Sequence, residues 1–211
     1  MMRFVKICGI TRLADAEAAV GLGASAIGFV FWPASPRAID PYRARDIASR
    51  LRPFVTPVGV FVNQPATYIN AVASLVGLGA VQLHGDEEPA FAATIRRPVV
   101  KAVTAATDQQ VVSRWPSHVM LLVDAHDPAR RGGTGRTADW TVAGELARTR
   151  PILLAGGLTP ENIGRAVAQS RPFGVDVSSG VESAPGVKDH GLLAALFSEL
   201  RADTSNAGSL T

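Results

Sequence analysis

A thiol, two carboxylates, a guanidinium and several glycine-rich turns are the parts of this chain equipped for chemistry. Cys8, the single cysteine, sits between the apolar run Phe4-Val5-Lys6-Ile7 and Gly9, where a strand would hand over to a loop. A free cysteine usually serves as a small buried hydrophobe, but a thiol at a strand end can also act as an acid or base. Asp124 ends a second apolar run, where a carboxyl flanked by apolar residues can be held protonated and serve as a general acid. Asp127 competes for that role, and either aspartate can instead cap its loop through backbone hydrogen bonds. Arg37 follows a Ser35-Pro36 turn and offers a planar fork suited to a carboxylate, unless it is simply a solvated surface arginine.

Two turns are candidates for holding a phosphate: Ala155-Gly156-Gly157-Leu158-Thr159 and Asp176-Val177-Ser178-Ser179-Gly180. Glycines allow a backbone to approach an anion closely, and a helix capped at Thr159 with Pro160 as its first residue would point unpaired N–H groups at it. Gly156-Gly157 alone is equally a tight turn. Gly132-Gly133-Thr134-Gly135 lacks the Gly-Lys-Ser/Thr ending of a nucleotide-binding loop. Period-two alternation puts Lys6 on the same face as Cys8, where an ammonium favours the thiolate. Asp176 can neutralise that ammonium if the first and last strands are neighbours. The four histidines, His84, His118, His126 and His190, have no metal-ligand spacing, so no metal is expected. The Rossmann glycine fingerprint follows none of the strands.

These residues must be positioned by elements, and the elements alternate. Short β-branched runs are expected as strands at Phe4 to Cys8, Ala26 to Phe31, Thr56 to Val62, Ala80 to Leu83, Val99 to Val103, Val119 to Val123, Ile152 to Ala155 and Gly174 to Val177. Between them helical spacing predicts Leu13 to Leu22, Tyr42 to Leu51, Thr67 to Val76, Glu87 to Ile95, Asp108 to Arg114, Trp140 to Ala147, Pro160 to Gln169 and Asp189 to Leu200. Eight unbroken strand-helix units favour an α/β fold closed into a (β/α)₈ TIM barrel, with an open doubly wound sheet as the alternative. In a barrel, working residues sit at the C-terminal ends of strands, and the polar and glycine residues above all fall at such junctions.

Composition bounds the rest. A chain of 211 residues, 47% hydrophobic and 18% charged, can bury a large core, and no linker divides it. One catalytic domain is expected over 1–201, followed by a small, polar, frayed tail from Ala202 to Thr211. One cysteine makes no internal disulfide, and no apolar stretch suits a signal core or a membrane span, so a cytoplasmic protein is the expectation. The net charge of +3 comes from dispersed arginines without interleaved aromatics, which gives nucleic-acid binding little support. A small anion needs only one or two of them.

Taken together, the segments Val5-Lys6-Ile7-Cys8-Gly9-Ile10, Gly28-Phe29-Val30-Phe31 with Ser35-Pro36-Arg37, Val58-Gly59-Val60-Phe61-Val62-Asn63 and Val81-Gln82-Leu83-His84-Gly85 resemble the phosphoribosylanthranilate isomerases of tryptophan biosynthesis. The resemblance continues through Gly132-Gly133-Thr134-Gly135 with Asp139-Trp140, Ala155 to Asn162 and Gly174 to Glu182, in order over essentially the whole chain. It implies a barrel that performs a cofactor-free Amadori rearrangement of N-(5-phosphoribosyl)anthranilate, as a monomer or homodimer. Cys8 is then the general base, Asp124 the general acid and Arg37 the partner of the anthranilate carboxylate. Gly156, Gly157, Ser178 and Ser179 hold the phosphate, and Gln82, His84, Gly133, Asp176 and Gly180 complete the substrate contacts. Ala138 departs from the family pattern, which usually has an aromatic residue there. The histidine-pathway isomerases carry an aspartate on strand one and a two-fold repeat; here the position is Cys8 and no half-repeat is seen. A barrel that binds phosphate ligands without turnover is the remaining alternative.

Overall fold

Eight parallel strands alternate with helices and close on themselves. A computed structural model of the protein describes residues 4–104, 107, 109–124 and 140–206. Its elements run β1 (Phe4–Ile7), α1 (Leu13–Leu22), β2 (Ala26–Val30), α2 (Pro41–Ala48), β3 (Thr56–Phe61), α3 (Ala66–Val76), β4 (Ala80–Leu83), α4 (Pro89–Ala92), β5 (Val99–Thr104), α5 (Gln109–Ser113), β6 (Met120–Asp124), α6 (Thr141–Ala147), β7 (Ile152–Ala155), α7 (Ile163–Ser170), β8 (Gly174–Val177) and α8 (His190–Asn206). Each strand pairs with the next, and β8 pairs with β1 in the register Lys6 to Asp176. The sheet is therefore a closed barrel and not the open alternative.

Alternation along the strands divides the apolar residues between two cores. Outward-facing Ile7, Phe29, Phe61, Leu83, Leu121 and Ile152 join helix residues such as Ile69, Ile163, Leu193 and Leu196 in one cluster. Inside the barrel, Ala102, Leu122, Leu153 and Ala155 pack with Phe4, Val100 and Met120. Toward the C-terminal ends the inward positions become polar, with Lys6, Gln82 and Asp176 all buried. Each fully buried Leu or Ile contributes about 1.5–3 kcal/mol, and it is this apolar framework that offsets the cost of enclosing charge at the mouth.

Local signals explain most boundaries. Asp40 caps α2 by accepting from the N–H groups of Tyr42 and Arg43, with Pro41 as the first helical residue. Several helices differ from expectation, and α2 ends at Ala48, short of the expected Leu51. The predicted segment from Glu87 to Ile95 contracts to the single turn α4, because Glu87 is drawn away to accept from the Asn63 and Gly85 N–H groups and from Lys101. α7 starts at Ile163 and not at Pro160, since the Asn162 side chain accepts from the Thr159 N–H at 2.9 Å and leaves residues 160–162 in a preceding turn. α8 continues past the expected start of the tail to Asn206. A short helix (Ser179–Val181) and an antiparallel hairpin, β9 (Glu182–Ala184) with β10 (Val187–Lys188), follow β8 and were not expected. Among the described residues no helix is long and apolar enough to cross a membrane.

Candidate active site

Cys8 lies just beyond β1, 8% exposed, with its N–H donating to the Val177 carbonyl of β8 at 2.8 Å. The strand neighbour on the other side is cut back to make room: a Cβ on Gly28 would lie 2.8 Å from the Cys8 Sγ and 3.1 Å from the Lys6 Cε. Lys6, one inward layer deeper, pairs with Asp176 at 2.8 Å, and both side chains are buried. Burial works against the ammonium, but Asp176 and Cys8 beside it raise the Lys6 pKa on balance. Burial also pushes the Cys8 thiol up. Lys6 and Lys188 pull it down and Asp176 pushes it further up, with a net rise, so the residue is a thiol at neutral pH.

Arg37 folds its aliphatic stem over Gly9, whose φ of +74° is a left-handed conformation suited to glycine; a Cβ there would lie 2.7 Å from the Arg37 Cδ. The guanidinium grips Glu182 side-on, Nε donating at 3.0 and 3.1 Å and Nη2 at 2.7 Å. Glu182 also accepts from Lys188 at 2.7 Å, and Lys188 donates in turn to the Ser178 carbonyl at 3.1 Å. Burial alone would raise the Glu182 pKa, yet the two cations hold it below the usual glutamate range. Sequence reasoning assigned no role to Glu182 or Lys188. The turn at Pro185-Gly186 is the local signal of a hairpin that brings the two together.

The two expected phosphate loops come together at one side of the mouth. Gly156 and Gly157 follow β7 with φ of 92° and 62°, which favours glycine at both. The Asn162 side chain donates to the Gly157 carbonyl at 2.8 Å and so fixes this turn. Because Asn162 also takes the Thr159 N–H, that group is already engaged, contrary to the expectation that a helix opening at Thr159 presents it to an anion. Ser178 and Ser179 follow β8, and the Ser178 hydroxyl donates to the Cys8 carbonyl at 3.2 Å. Gly180 closes the gap between the loops: a Cβ there would run into the Leu158 carbonyl.

Across the mouth the walls open. Asp124 ends β6, opposite Thr104 on β5 and Ala155 on β7, and is half-buried. With His84, Lys101, Thr104, Arg114 and Trp115 it lines a cavity of about 700 Å³. Gln82 Nε2 lies 2.8 Å from His84 Nδ1, a contact in which the amide donates when the ring proton sits on Nε2. Desolvation by the surrounding wall lowers the His84 pKa, while the charges of Asp124 and Asp176 oppose it. His84 thus feels carboxylates from both sides of the mouth. Lys101 turns to Glu87 at 2.8 Å, beneath the β4–α4 loop. Gly133, Asp127, His126 and Ala138 lie outside the described residues.

A general base candidate, a carboxyl, an arginine and the two expected phosphate loops thus share the C-terminal mouth of one barrel. The sequence model of the family described as N-(5'phosphoribosyl)anthranilate (PRA) isomerase matches residues 5–199. An N-(5'-phosphoribosyl)anthranilate isomerase of Pelobacter propionicus is 49% identical over 186 residues, covering 88% of this chain and 89% of its own. The crystal structure of phosphoribosyl anthranilate isomerase from Thermotoga maritima superposes with a TM-score of 0.87 at 44% identity, over 95% of this chain and all of that one. A phosphoribosyl anthranilate isomerase in complex with reduced 1-(o-carboxyphenylamino)-1-deoxyribulose 5-phosphate has a TM-score of 0.84 at 42% identity, covering 95% and 100% of the two chains. With a match that runs from β1 into α8, this chain belongs to the N-(5'-phosphoribosyl)anthranilate isomerase family.

Proposed function

We propose that this barrel isomerises N-(5-phosphoribosyl)anthranilate to 1-(2-carboxyphenylamino)-1-deoxyribulose 5-phosphate in tryptophan biosynthesis, with Asp124 as general acid and Cys8 as general base. Asp124 protonates the furanose ring oxygen as its bond to C1′ breaks and the aniline nitrogen forms a Schiff base. Cys8 then takes the C2′ proton, and the electron pair left behind gives an enolamine that tautomerises to the ketone. No atom is gained or lost. Enclosure disfavours the thiolate in the free enzyme; Cys8 gives its proton to solvent before C2′ is deprotonated, and the cation created at the Schiff base stabilises the resulting thiolate.

Arg37 pairs with the anthranilate carboxylate through its end-on edge, because Glu182 occupies the side-on edge. Gly156, Gly157, Ser178, Ser179 and Gly180 hold the phosphate, and that remote grip aligns the sugar with Cys8 and Asp124. Gln82, His84 and Asp176 complete the wall, and Gly133 is assigned to the substrate on the family motif alone. The observation that carries this reading is the convergence of Cys8, Arg37, Asp124 and both loops on one mouth. All come from a single chain, so a monomer suffices and a homodimer would carry two complete sites. The cytoplasm is the expected compartment for a biosynthetic enzyme with one free thiol.

The test is a steady-state assay with freshly made substrate, following loss of its fluorescence. Turnover abolished in Cys8→Ala and in Asp124→Asn, with folding intact, supports the assignment. Tight binding of phosphate ligands by a parent protein that shows no turnover would mean a binding barrel instead.

A further inference from the structure

Glu182 is a carboxylate with 4% side-chain exposure, set between two cations from different parts of the chain. It receives Arg37 side-on and Lys188 at 2.7 Å, and its Oε1 also accepts from the Gly186 N–H at 3.3 Å. Arg37 comes from the β2–α2 loop, whereas Glu182 and Lys188 lie on the two strands of the hairpin that follows β8. Lys188 is fully enclosed and its second partner is the Ser178 carbonyl. Among the described residues Arg37 Nη1 makes no hydrogen bond, so the engaged edge of the guanidinium faces Glu182 and the other remains for a ligand. A long arginine side chain free in solution samples many rotamers, and a two-point carboxylate contact fixes the plane of the fork before a ligand arrives.

We propose that Glu182 is a positioning residue for the isomerase reaction, which holds the Arg37 guanidinium in the plane that receives the substrate carboxylate while Lys188 balances its charge. This rests on the reading of Arg37 as the carboxylate anchor. Glu182 touches no substrate atom in this scheme. Its effect passes entirely through Arg37, and it therefore belongs to binding and not to proton transfer.

The experiment is a double-mutant cycle of Arg37→Ala and Glu182→Gln, reading KM, kcat and competitive inhibition by anthranilate and by inorganic phosphate. Loss of a charge-assisted contact predicts a KM raised about tenfold in Glu182→Gln, with kcat little changed. Anthranilate inhibition weakens in parallel and phosphate inhibition does not, a selectivity that a general loosening of the fold would not produce. In the Arg37→Ala background the second substitution adds nothing. Glu182→Gln leaves a buried ammonium unpaired, so Glu182→Gln/Lys188→Met is measured alongside it and is expected to show the same rise in KM and the same weakening of anthranilate inhibition. Additive effects in the cycle, or equal weakening of both inhibitors, overturn the role of Glu182 alone. An unchanged KM in Arg37→Ala overturns the anchor itself, and this proposal with it.

Discussion

The two sides of the barrel mouth differ in how far they are filled. On the side of β8, β1 and β2, charge is enclosed and cross-linked: Lys6 with Asp176, and Arg37 with Glu182 and Lys188. On the side of β4 to β6 charge is also paired, Lys101 with Glu87, but Asp124 and His84 border a cavity of about 700 Å³. In the proposed mechanism the enclosed side carries the base and the anion grips, whose positions must not drift while a proton moves. The open side carries the acid and leaves room for a sugar ring to open. Rigidity costs desolvation of several charges, and the pairing of each is what makes that tolerable.

Removing the reacting group from either side is the harshest way to break this contrast. Cys8→Ala and Asp124→Asn are each expected to lower kcat by about 10²–10⁴-fold, the range for a positioned acid or base. Cys8 is a packed residue beside Val30 and Val60, so its truncation also lowers Tm slightly. A Cys8→Ala enzyme with near-parent kcat would move the base elsewhere.

Gly180→Ala strikes the enclosed side alone. The new methyl meets the Leu158 carbonyl, which has no soft end to give way, so the two phosphate loops are forced apart. Overpacking of this kind costs about 1–3 kcal/mol, and Tm is expected to fall by several degrees. Inorganic phosphate should inhibit about tenfold less well, through loss of aligned donors. Unaltered phosphate inhibition in a destabilised Gly180→Ala protein would show that the loops grip nothing.

How far the contrast could be read from sequence depends on the range of the interaction. The strands Ala80–Leu83, Ile152–Ala155 and Gly174–Val177 and the helix Leu13–Leu22 match expectation because apolar period and turn residues are local signals. The Lys6–Asp176 pair was foreseeable once the barrel closed, since alternation fixes which side chains face inward. Glu182 gave no such hint: its partner Arg37 lies 145 residues away, and no local pattern reports a contact at that range. The late start of α7 has a similar cause, as the choice of Asn162 to bond Thr159 and Gly157 is a property of the folded turn.

Lys6→Met sharpens the comparison without dismantling it. If Cys8 is the base, activity is expected to rise with pH as the thiol ionises, and burial has already moved that ionisation upward. Lys6 is the stronger of the nearby charges and it favours the thiolate, so its loss shifts the limb of the kcat/KM profile further to alkaline pH and lowers the rate several-fold at neutrality. Lys6→Met/Asp176→Asn removes the opposing carboxylate too, and the limb should return toward the parent position. A limb indifferent to Lys6→Met would mean that the ion pair is electrically silent at Cys8.

The smallest effect is expected at a single neutral hydrogen bond on the open side. Gln82 Nε2 faces His84 Nδ1, and where the amide donates only an unprotonated ring nitrogen can accept. Gln82→Ala removes that donor and admits water beside the ring. Both changes favour the charged imidazole, so the His84 pKa, lowered by desolvation in the parent, should move up. An NMR titration, with the resonance assigned by its loss in His84→Asn, reads the shift directly, and kcat should fall less than tenfold, the lower part of what one neutral contact is worth. A downward shift would imply that Gln82 turns its carbonyl oxygen to the ring and accepts from Nδ1–H, which favours the charged form.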